Sequence, residues 1–367
     1  MLLQMSLRLC SYKMGSYAMI DLFASMHTGV RLRAIAGGLL ILFGAACTGD
    51  GTSPTTEATL PGDPTVTTDP TTSPSDPSLT PPPPTDVLGA VAALDTRSSA
   101  PGIVFATDGM DNQYFTNVYN GSKRGGGLTQ DNILPLLSDA RAKGARIILK
   151  LTLGRDSYIQ NSDGTFSFTK WKALVDRFKS VNLGPYIADG TILAHFLIDE
   201  PHRAAKWGGK IIPQATVEAM AQYSKQIWPT MNTIVHTKMP WLASTSITYT
   251  YLDAGWAQYE AGKGDVANWI AGEISSVKSK GLGLVVGINV LNGGNGSSGI
   301  RGTSSPYYSM SASEVRTYGS TLLNQSYACG FILWAHNLTY FGRSDIKSAM
   351  AELSIKAKAH VKTSCRQ

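Results

Sequence analysis

Two adjacent acidic residues, Asp199 and Glu200, follow a strongly apolar stretch of the sequence and are themselves followed by Pro201. Residues 191–198 are nearly all hydrophobic, which predicts a strand buried on both faces, as strands of parallel sheets are. The two carboxyl groups are therefore expected at the carboxyl end of that strand, where α/β barrels and open α/β sheets keep their chemistry. Burying two acids is costly unless they are used or paired.

Polar and aromatic side chains also follow the other predicted strands. In a barrel these strand ends would meet in one bowl, where carboxylates can move protons, amides can bind hydroxyls and aromatic faces can stack on sugar rings. Each residue alone could equally be a polar core residue with local partners. The candidates, in chain order, are Asp108, Asp111, Lys150, Thr152, Arg155, His236, Lys238, Trp241, Gln258, Tyr259, Glu260, Asn289, Asn292, Trp334, His336 and Asn337.

The elements that must position these residues alternate between apolar strands and amphipathic helices, which is typical of βα units. Predicted strands cover 103–106, 146–153, 191–198, 233–236, 254–257, 282–290 and 330–334, and predicted helices cover 130–143, 169–180, 213–228, 266–280, 311–324 and 344–361. An eighth strand is expected at 115–119 or at 247–251. The pattern favours a (β/α)8 TIM barrel. An open doubly wound sheet is the alternative, but no glycine-rich fingerprint follows the first strand.

Local signals predict where several helices begin. Thr169 is a candidate cap for the helix that follows it, and Pro213 suits a first-turn position. Ser311 and Glu314 have the spacing of a capping box. His195 lies inside its predicted strand and is expected to be a core histidine.

The first part of the chain predicts export. Residues 31–47 combine a basic start, an apolar segment and small residues before Cys47, as secretory signals do. The end of this segment resembles a bacterial lipoprotein cleavage box, which would lipidate Cys47 and anchor the chain at the cell surface or outer membrane. An ordinary signal peptide, giving a secreted protein, is the alternative. Residues 48–85 are rich in Thr, Pro and Ser and predict a disordered linker, with the barrel in 86–367.

The overall composition and charge of the chain limit the kinds of partner that we expect. The chain has 367 residues, 43% of them hydrophobic, and a formal net charge of +6. No cluster of Lys and Arg interleaved with aromatic residues suggests nucleic acid, and we expect a monomer without a cofactor that meets the membrane only through a lipid anchor. Cys329 and Cys365 form an even pair that predicts a disulfide, with two free thiols as the alternative.

The segment 196–201, Phe-Leu-Ile-Asp-Glu-Pro, resembles the acid/base strand of the clan A glycoside hydrolases. The resemblance implies that Glu200 protonates the glycosidic oxygen and that Trp334 is a platform for a sugar ring. The glutamate nucleophile of that clan would stand near residues 287–294, where only Asn289 and Asn292 are available. Glu260 is the leading second carboxylate, and Asp199, Asp108 and Asp111 are lesser candidates. Carboxyl groups roughly 5 Å apart would imply retention and roughly 6.5–9.5 Å inversion.

Other classes of function stay open. A barrel that binds a glycan without cleaving it would use the same Trp and Asn residues. A metal site built from Asp199 with His236 or His336 is conceivable, but no close His-x-His or His-Glu-x-x-His motif supports it. A serine hydrolase is not favoured because no Gly-x-Ser-x-Gly elbow is present. Strict strand alternation predicts that Asp199 and Glu200 point in opposite directions, with Glu200 in the bowl and Asp199 as a hydrogen-bonded support.

Overall fold

The computed structural model describes residues 102–361 and residue 365. The predicted signal segment 31–47, the lipidation site Cys47 and the linker 48–85 lie outside these residues, so they stay predictions.

Eight parallel strands close into a barrel in chain order, which confirms the predicted (β/α)8 fold. The strands are β1 (Val104–Asp108), β2 (Gly121–Arg124), β3 (Arg146–Leu149), β4 (Ile192–Asp199), β5 (Thr233–His236), β6 (Ala254–Tyr259), β7 (Gly283–Asn289) and β8 (Ala328–Trp334). β1 pairs with β8 from Val104↔Gly330 onward, which closes the ring. Within the described residues the helices are α1 (Gln130–Ala142), α2 (Phe168–Asp176), α3 (Gly184–Ala188), α4 (Gln214–Ile227), α5 (Met239–Ala243), α6 (Val266–Lys278), α7 (Ala312–Leu323), α8 (Leu338–Gly342) and α9 (Ser344–Lys358).

Both predicted positions of the eighth strand are wrong. Residues 115–119 and 247–251 are irregular, and the missing strand is β2, Gly-Ser-Lys-Arg at 121–124. It is only four residues long and contains no large apolar side chain, so hydrophobic periodicity cannot reveal it. Neighbours on both sides complete it, since β1 pairs at Ala106↔Gly121 and β3 at Gly121↔Arg146.

The structure confirms one of the predicted helix starts and corrects two. Ser311 and Glu314 form the predicted capping box at the start of α7. Helix α2 is capped by Ser167, whose hydroxyl accepts from the N–H of Lys170 at 3.3 Å, and not by Thr169. Pro213 is itself the cap of α4, in an extended conformation.

The core has two layers. The larger one lies between strands and helices, where Trp171, Trp207 and Phe178 are fully buried. The smaller one fills the barrel interior and is rich in inward residues such as Phe196, Trp256 and Ile332. The predicted disulfide is confirmed: Cys329 in β8 and Cys365 are joined, with their Cα atoms 4.9 Å apart, and both belong to the interior layer.

Candidate active site

A deep bowl of about 1420 Å³ opens at the carboxyl ends of the strands. Trp334, Tyr307 and Tyr158 contribute to its lining, and they are 39%, 54% and 46% exposed. Exposed aromatic faces in a polar cavity suit the apolar faces of sugar rings.

Most of the residues that the sequence assigns to strand ends do line this bowl. They are Asp108, Asp111, Lys150, Arg155, Asp199, Glu200, His236, Lys238, Gln258, Glu260, Asn289, Asn292 and Trp334. They come from seven of the eight strands or the loops after them, so the barrel brings together residues that are more than 200 positions apart in sequence.

Tyr259 is not part of the bowl, contrary to its assignment as a substrate-binding residue. It alternates with Gln258 along β6 and therefore points outward, where it is 1% exposed. Its ring packs against Trp269 and Tyr318, and its hydroxyl donates to the carbonyl of Gly264.

Trp241 and His336 also lie outside the lining. Trp241 belongs to α5 and packs its ring against His202, with the centroids 6.1 Å apart. His336 packs between Tyr114 and Phe341, at 5.0 and 5.5 Å. Both residues therefore support loops around the bowl. Thr152 and Asn337 are likewise absent from the lining.

The backbone of Glu200 is held in a left-handed conformation, with φ of 50°. Its N–H donates to the carbonyl of His236 at 2.8 Å, and its own carbonyl accepts from the N–H of Arg203 at 3.0 Å and the indole of Trp207 at 3.1 Å. For a residue other than glycine such strain costs roughly 1–3 kcal/mol, and the strained conformation persists only where the surroundings impose it. These three hydrogen bonds impose it here.

This conformation overturns the prediction that Asp199 and Glu200 point in opposite directions. The pairing of β4 with β5 is irregular between Phe196 and Asp199, and the left-handed turn at Glu200 ends regular alternation. Both carboxyl groups line the bowl. Strand periodicity could not predict this because it applies only while the backbone stays extended.

Asp199 lies at the centre of a charged network. One oxygen accepts from Nδ1 of His236 at 2.6 Å, and the other accepts from the ammonium group of Lys206. Lys206 also contacts Asp156 at 2.9 Å, and Asp156 contacts Lys150 at 2.8 Å. Asp199 is hydrogen-bonded as the sequence predicts, and its supporting role stays a prediction.

The network keeps Asp199 ionised. Burial works against its charge, but the hydrogen bond and charge of His236, together with Lys206, hold the pKa of Asp199 well below its usual value. A carboxylate can only accept hydrogen bonds, so His236 donates from Nδ1. This leaves Nε2 of His236 without a protein partner among the described residues.

Glu200 has a weaker partner. Arg203 contacts one of its oxygens at 2.6 Å, and Lys206 lies 3.9 Å away. The side chain of Arg203 is 57% exposed, so this ion pair contributes little to stability and can open at small cost. The other oxygen of Glu200 is available to a ligand.

A second group of charged residues lies at the end of β6. Burial lowers the pKa of Lys263, while Glu260, Glu273 and Glu200 act in the opposite direction. Glu273 reaches the bowl from α6; burial raises its pKa, and it accepts from the N–H of Met239 at 2.8 Å. Glu260 thus counteracts the effect of burial on the pKa of Lys263, although the described residues show no close ion pair between the two.

Two buried donors in the bowl lack acceptors. The indole nitrogen of Trp256 and the amide nitrogen of Gln258 have no hydrogen-bond partner within the described part of the chain. Both residues are on β6 and line the bowl, two positions apart and so on the same face of the strand. Buried donors normally find a partner, and both nitrogens are closed to solvent, so they are unpaired groups of the barrel interior beneath the bowl.

Sequence reasoning missed many residues of the bowl. Most come from the unrecognised strand β2 or from loops, where neither period nor motif indicates their position. They are Lys123, Arg124, Asp156, Tyr158, His202, Arg203, Lys206, Trp256, Lys263, Trp269, Glu273, Ser304 and Tyr307. Only Trp256 carried a signal, as an aromatic residue inside a predicted strand.

The described residues contain no group of three or more His, Cys, Asp or Glu side chains placed to hold a metal ion. Over residues 102–361, none of the helices has the length and hydrophobicity needed to cross a membrane.

No family model and no curated protein match the chain. Solved structures with similar folds include a β-D-glucuronidase from Dictyoglomus thermophilum, with a TM-score of 0.44 and 10% identity, covering 70% of this chain and 50% of that one. The xylanase TsXylA from Thermoanaerobacterium saccharolyticum has a TM-score of 0.42 and 13% identity, and the match covers 66% of this chain and 88% of that one. Xyn30A from Clostridium acetobutylicum, a family 30 glycoside hydrolase, has a TM-score of 0.44 and 10% identity, and the match covers 70% of this chain and 73% of that one.

The chain spans half the length of the glucuronidase and most of that of TsXylA. At these identities and TM-scores the similarities carry no argument about residue roles. The barrel itself is established by its strand pairing.

Proposed function

We propose that this protein is a glycoside hydrolase that acts on an extracellular carbohydrate, with Glu200 as its general acid. The observation that carries the proposal is the placement of Glu200: its strained backbone turns the carboxyl group into a bowl that is also lined by exposed aromatic rings. A general acid must reach the leaving oxygen of a bound substrate, and the rings give a sugar a surface on which to bind.

The predicted lipoprotein signal and linker support a location outside the cell. A lipid at Cys47 would anchor the chain, and residues 48–85 would hold the barrel away from the membrane surface. Labelling with a radioactive or alkyne-bearing fatty acid tests this, with Cys47→Ala as the control. Label that persists in Cys47→Ala would refute the anchor.

A screen of the full chain against a panel of polysaccharides and oligosaccharides tests the enzyme proposal. We expect release of reducing sugar by the natural sequence and its loss in Glu200→Gln, with an unchanged melting temperature. Glu352→Gln, far from the bowl on α9, is the matched control.

One observation favours a second candidate, a barrel that binds glycans without cleaving them. β7 ends at Asn289, where the resemblance to clan A implies a carboxylate. Binding of a panel member without release of reducing sugar, unchanged by Glu200→Gln, would support this candidate.

A further inference from the structure

Three aromatic side chains of the bowl are exposed to solvent and pack against no other ring. Tyr158, Tyr307 and Trp334 are each more than a third exposed, whereas Trp256, which also contributes to the lining, is 1% exposed. In the described part of the chain, the three rings have no aromatic or cationic partner, and their polar side-chain atoms have no hydrogen-bond partner. Such ring faces are suited to stack on the apolar faces of sugars.

Tyr158 is held in place although its ring is exposed. It lies in a short turn that follows β3, begins at Asp156 and ends at Ile159. Asp156 is fixed by Lys150 and Lys206, at 2.8 and 2.9 Å, and Ile159 is fully buried. We call this turn the Tyr158 rim. A ring on an ordered turn loses little freedom when a ligand binds to it.

Tyr307 is held in a similar way by the long loop between β7 and α7. The amide group of Asn292 fixes this loop, because it donates to the hydroxyl of Thr303 at 2.8 Å and accepts from the N–H of Ser304 at 3.0 Å. The N–H of Tyr307 donates to the carbonyl of Ser304 at 3.0 Å, and its carbonyl accepts from the N–H of Gly302 at 2.9 Å. We call residues 302–307 the Tyr307 rim.

The two rims stand on opposite sides of the bowl. The eight strands close in chain order, so β3 and β7 are four strands apart and face each other across the barrel. Trp334 is the last residue of β8, which pairs with β7, and it therefore stands on the same side as Tyr307. Glu200 follows β4 and Glu260 follows β6, so both carboxyl groups come from strands between the two rims.

The span between the rims exceeds what one sugar can fill. Eight strands that are about 4.8 Å apart and tilted by about 36° give the barrel backbone a diameter of about 15 Å. A single pyranose ring is much shorter than this. The volume of the bowl, about 1420 Å³, is also larger than the ~300–1,000 Å³ of most sites for one small molecule.

The position of the rims also bears on which bonds can be cleaved. An enzyme that removes terminal sugars needs a site that is blocked behind the last sugar, so that only a chain end fits. Here an exposed ring stands at each side of the bowl, with Glu200 on a strand between them. This arrangement suits a chain that continues in both directions from the reacting bond.

We infer that the substrate is a linear polysaccharide that crosses the bowl, with one sugar on Tyr158 and another on Tyr307, and that the enzyme cleaves its internal bonds. This inference rests on the proposed function and adds the substrate class and the mode of cleavage. Trp334 contacts a sugar on the Tyr307 side. Glu200 then faces a glycosidic bond that has sugars on both sides.

Cleavage of an internal bond consumes one water molecule. Glu200 gives its proton to the bridging oxygen as the bond between that oxygen and C1 breaks, so the oxygen leaves as a hydroxyl group of one fragment. Water supplies a hydroxyl group to C1 of the other fragment, and its second proton restores the acid form of Glu200. The products are two shorter chains, one on each rim.

Chain length tests the inference with the full protein. The substrates are the panel polysaccharide that gives the most reducing sugar and its oligosaccharides of two to eight sugars, labelled at the reducing end with 2-aminobenzamide. We expect kcat/KM to rise by ~100-fold or more with length, because binding energy from remote sugars is used at the reacting bond. Size-exclusion chromatography should show the mean length of the polymer falling before small sugars accumulate.

Variants test each rim. Tyr158→Ala and Tyr307→Ala should each lower kcat/KM on the polysaccharide by ~10-fold, as loss of one well-packed aromatic contact does. The double variant should lose ~100-fold, because the two rims are far apart and their free energies add. The single variants should move the cleavage position in the labelled eight-sugar substrate in opposite directions, which a general loss of stability would not cause.

Two sets of controls accompany these variants. Tyr158→Phe and Tyr307→Phe keep the ring face and should keep the activity and the cleavage position. Ile355→Ala is the matched control for removing an exposed hydrophobic side chain, since Ile355 is 68% exposed on α9 and does not line the bowl. It should change neither kcat/KM nor the cleavage position, and the melting temperatures of all variants should be unchanged.

The outcomes separate the inference from the proposed function. Release of small sugars from one chain end while the remaining polymer keeps its length overturns the inference and leaves the glycosidase intact. Unchanged kcat/KM on the polysaccharide in Tyr158→Ala or in Tyr307→Ala, or a shift of the cleavage position in the same direction in both, also overturns it. Absence of hydrolysis of every panel member contradicts the proposed function and removes the inference with it.

Discussion

The two ends of the barrel are built for different purposes. At the carboxyl ends of the strands, charged side chains surround an open bowl, two buried donors lack acceptors and Glu200 is held in a strained conformation. At the amino ends, Cys365 is buried in the interior layer and bonded to Cys329, and its carbonyl leaves no room for a Cβ at Gly283. In barrels of this kind, residues at the carboxyl ends of the strands carry out the function, and residues at the amino ends stabilise the fold.

The two ends of the barrel differ in how their interactions affect the stability of the fold. Unmade hydrogen bonds and backbone strain both lower stability, and backbone strain such as that at Glu200 clusters at functional sites. The amino end has closed packing and a covalent link instead. Variants at the bowl should therefore alter activity with little effect on folding, and variants at the amino end should do the reverse.

The largest expected effect is at the bowl. Glu200→Gln should lower kcat by ~10²–10⁴-fold, the range that a general acid contributes, while the urea midpoint of unfolding stays the same because the ion pair it removes is exposed. Kinetics on the best panel substrate and equilibrium unfolding would be measured on the same preparation. A large loss of stability would mean that Glu200 is a structural residue.

The next effect is at the amino end. Replacing Cys329 and Cys365 together by serine should lower the free energy of unfolding by about 2–5 kcal/mol, the usual range for a native disulfide. Activity at 25 °C should change less than twofold because the bond lies at the opposite end from the bowl. Urea unfolding with and without reductant checks this, and reductant should have no effect on the double variant.

Between the two ends, a buried histidine in the barrel wall should make the free energy of unfolding depend on pH. Burial lowers the pKa of His195 to about 3, and its Nδ1 is paired with the hydroxyl of Ser224 at 2.9 Å. Between pH 6.5 and about 3 the unfolded chain binds a proton at this residue that the folded chain does not. Stability therefore falls as the pH is lowered, by about 1.4 kcal/mol per pH unit.

His195→Gln should be less stable than the natural sequence at pH 7, but the gap should narrow by about 2 kcal/mol at pH 5. Urea unfolding at both pH values measures it. A gap that does not change with pH would show that His195 titrates normally in the folded protein.

The smallest expected effect on stability is at the rim of the bowl, in the cap of α7. Ser311 caps α7, and its partner Glu314 also accepts from the N–H of Asn295 at 2.7 Å in the loop after β7. Ser311→Ala should lower the free energy of unfolding by about 1 kcal/mol and should raise KM more than it lowers kcat, because the loop forms part of the bowl. Ser275→Ala, at an exposed position within α6, is the control.

Sequence patterns were sufficient for the regular parts of this molecule. Long apolar runs such as that of β4 located seven strands, and the Ser311 and Glu314 spacing located the start of α7. The cysteine pair was predictable because only two cysteines remain outside the first 47 residues. Strand-end positions identified most of the polar residues that line the bowl, since parallel strands in a barrel all end on one side.

What the sequence could not predict depends on contacts between distant residues. Strand β2 has no period of its own and exists because β1 and β3 offer it hydrogen bonds. Lys206 comes from a loop, and only the folded chain places it between Asp156 and Asp199. Tyr259 was misplaced because a strand-end position alone does not decide which face a side chain occupies.

The sequence by itself thus determined the barrel, the disulfide pair and the presence of two acids at the end of a buried strand, because periodicity and composition are local properties. Tertiary structure decided that both acids face the bowl, that Asp199 is ionised and that two donors on β6 lack acceptors. Each of these depends on hydrogen bonds and charges from other strands, such as the carbonyl and imidazole of His236. No local pattern can specify such partners.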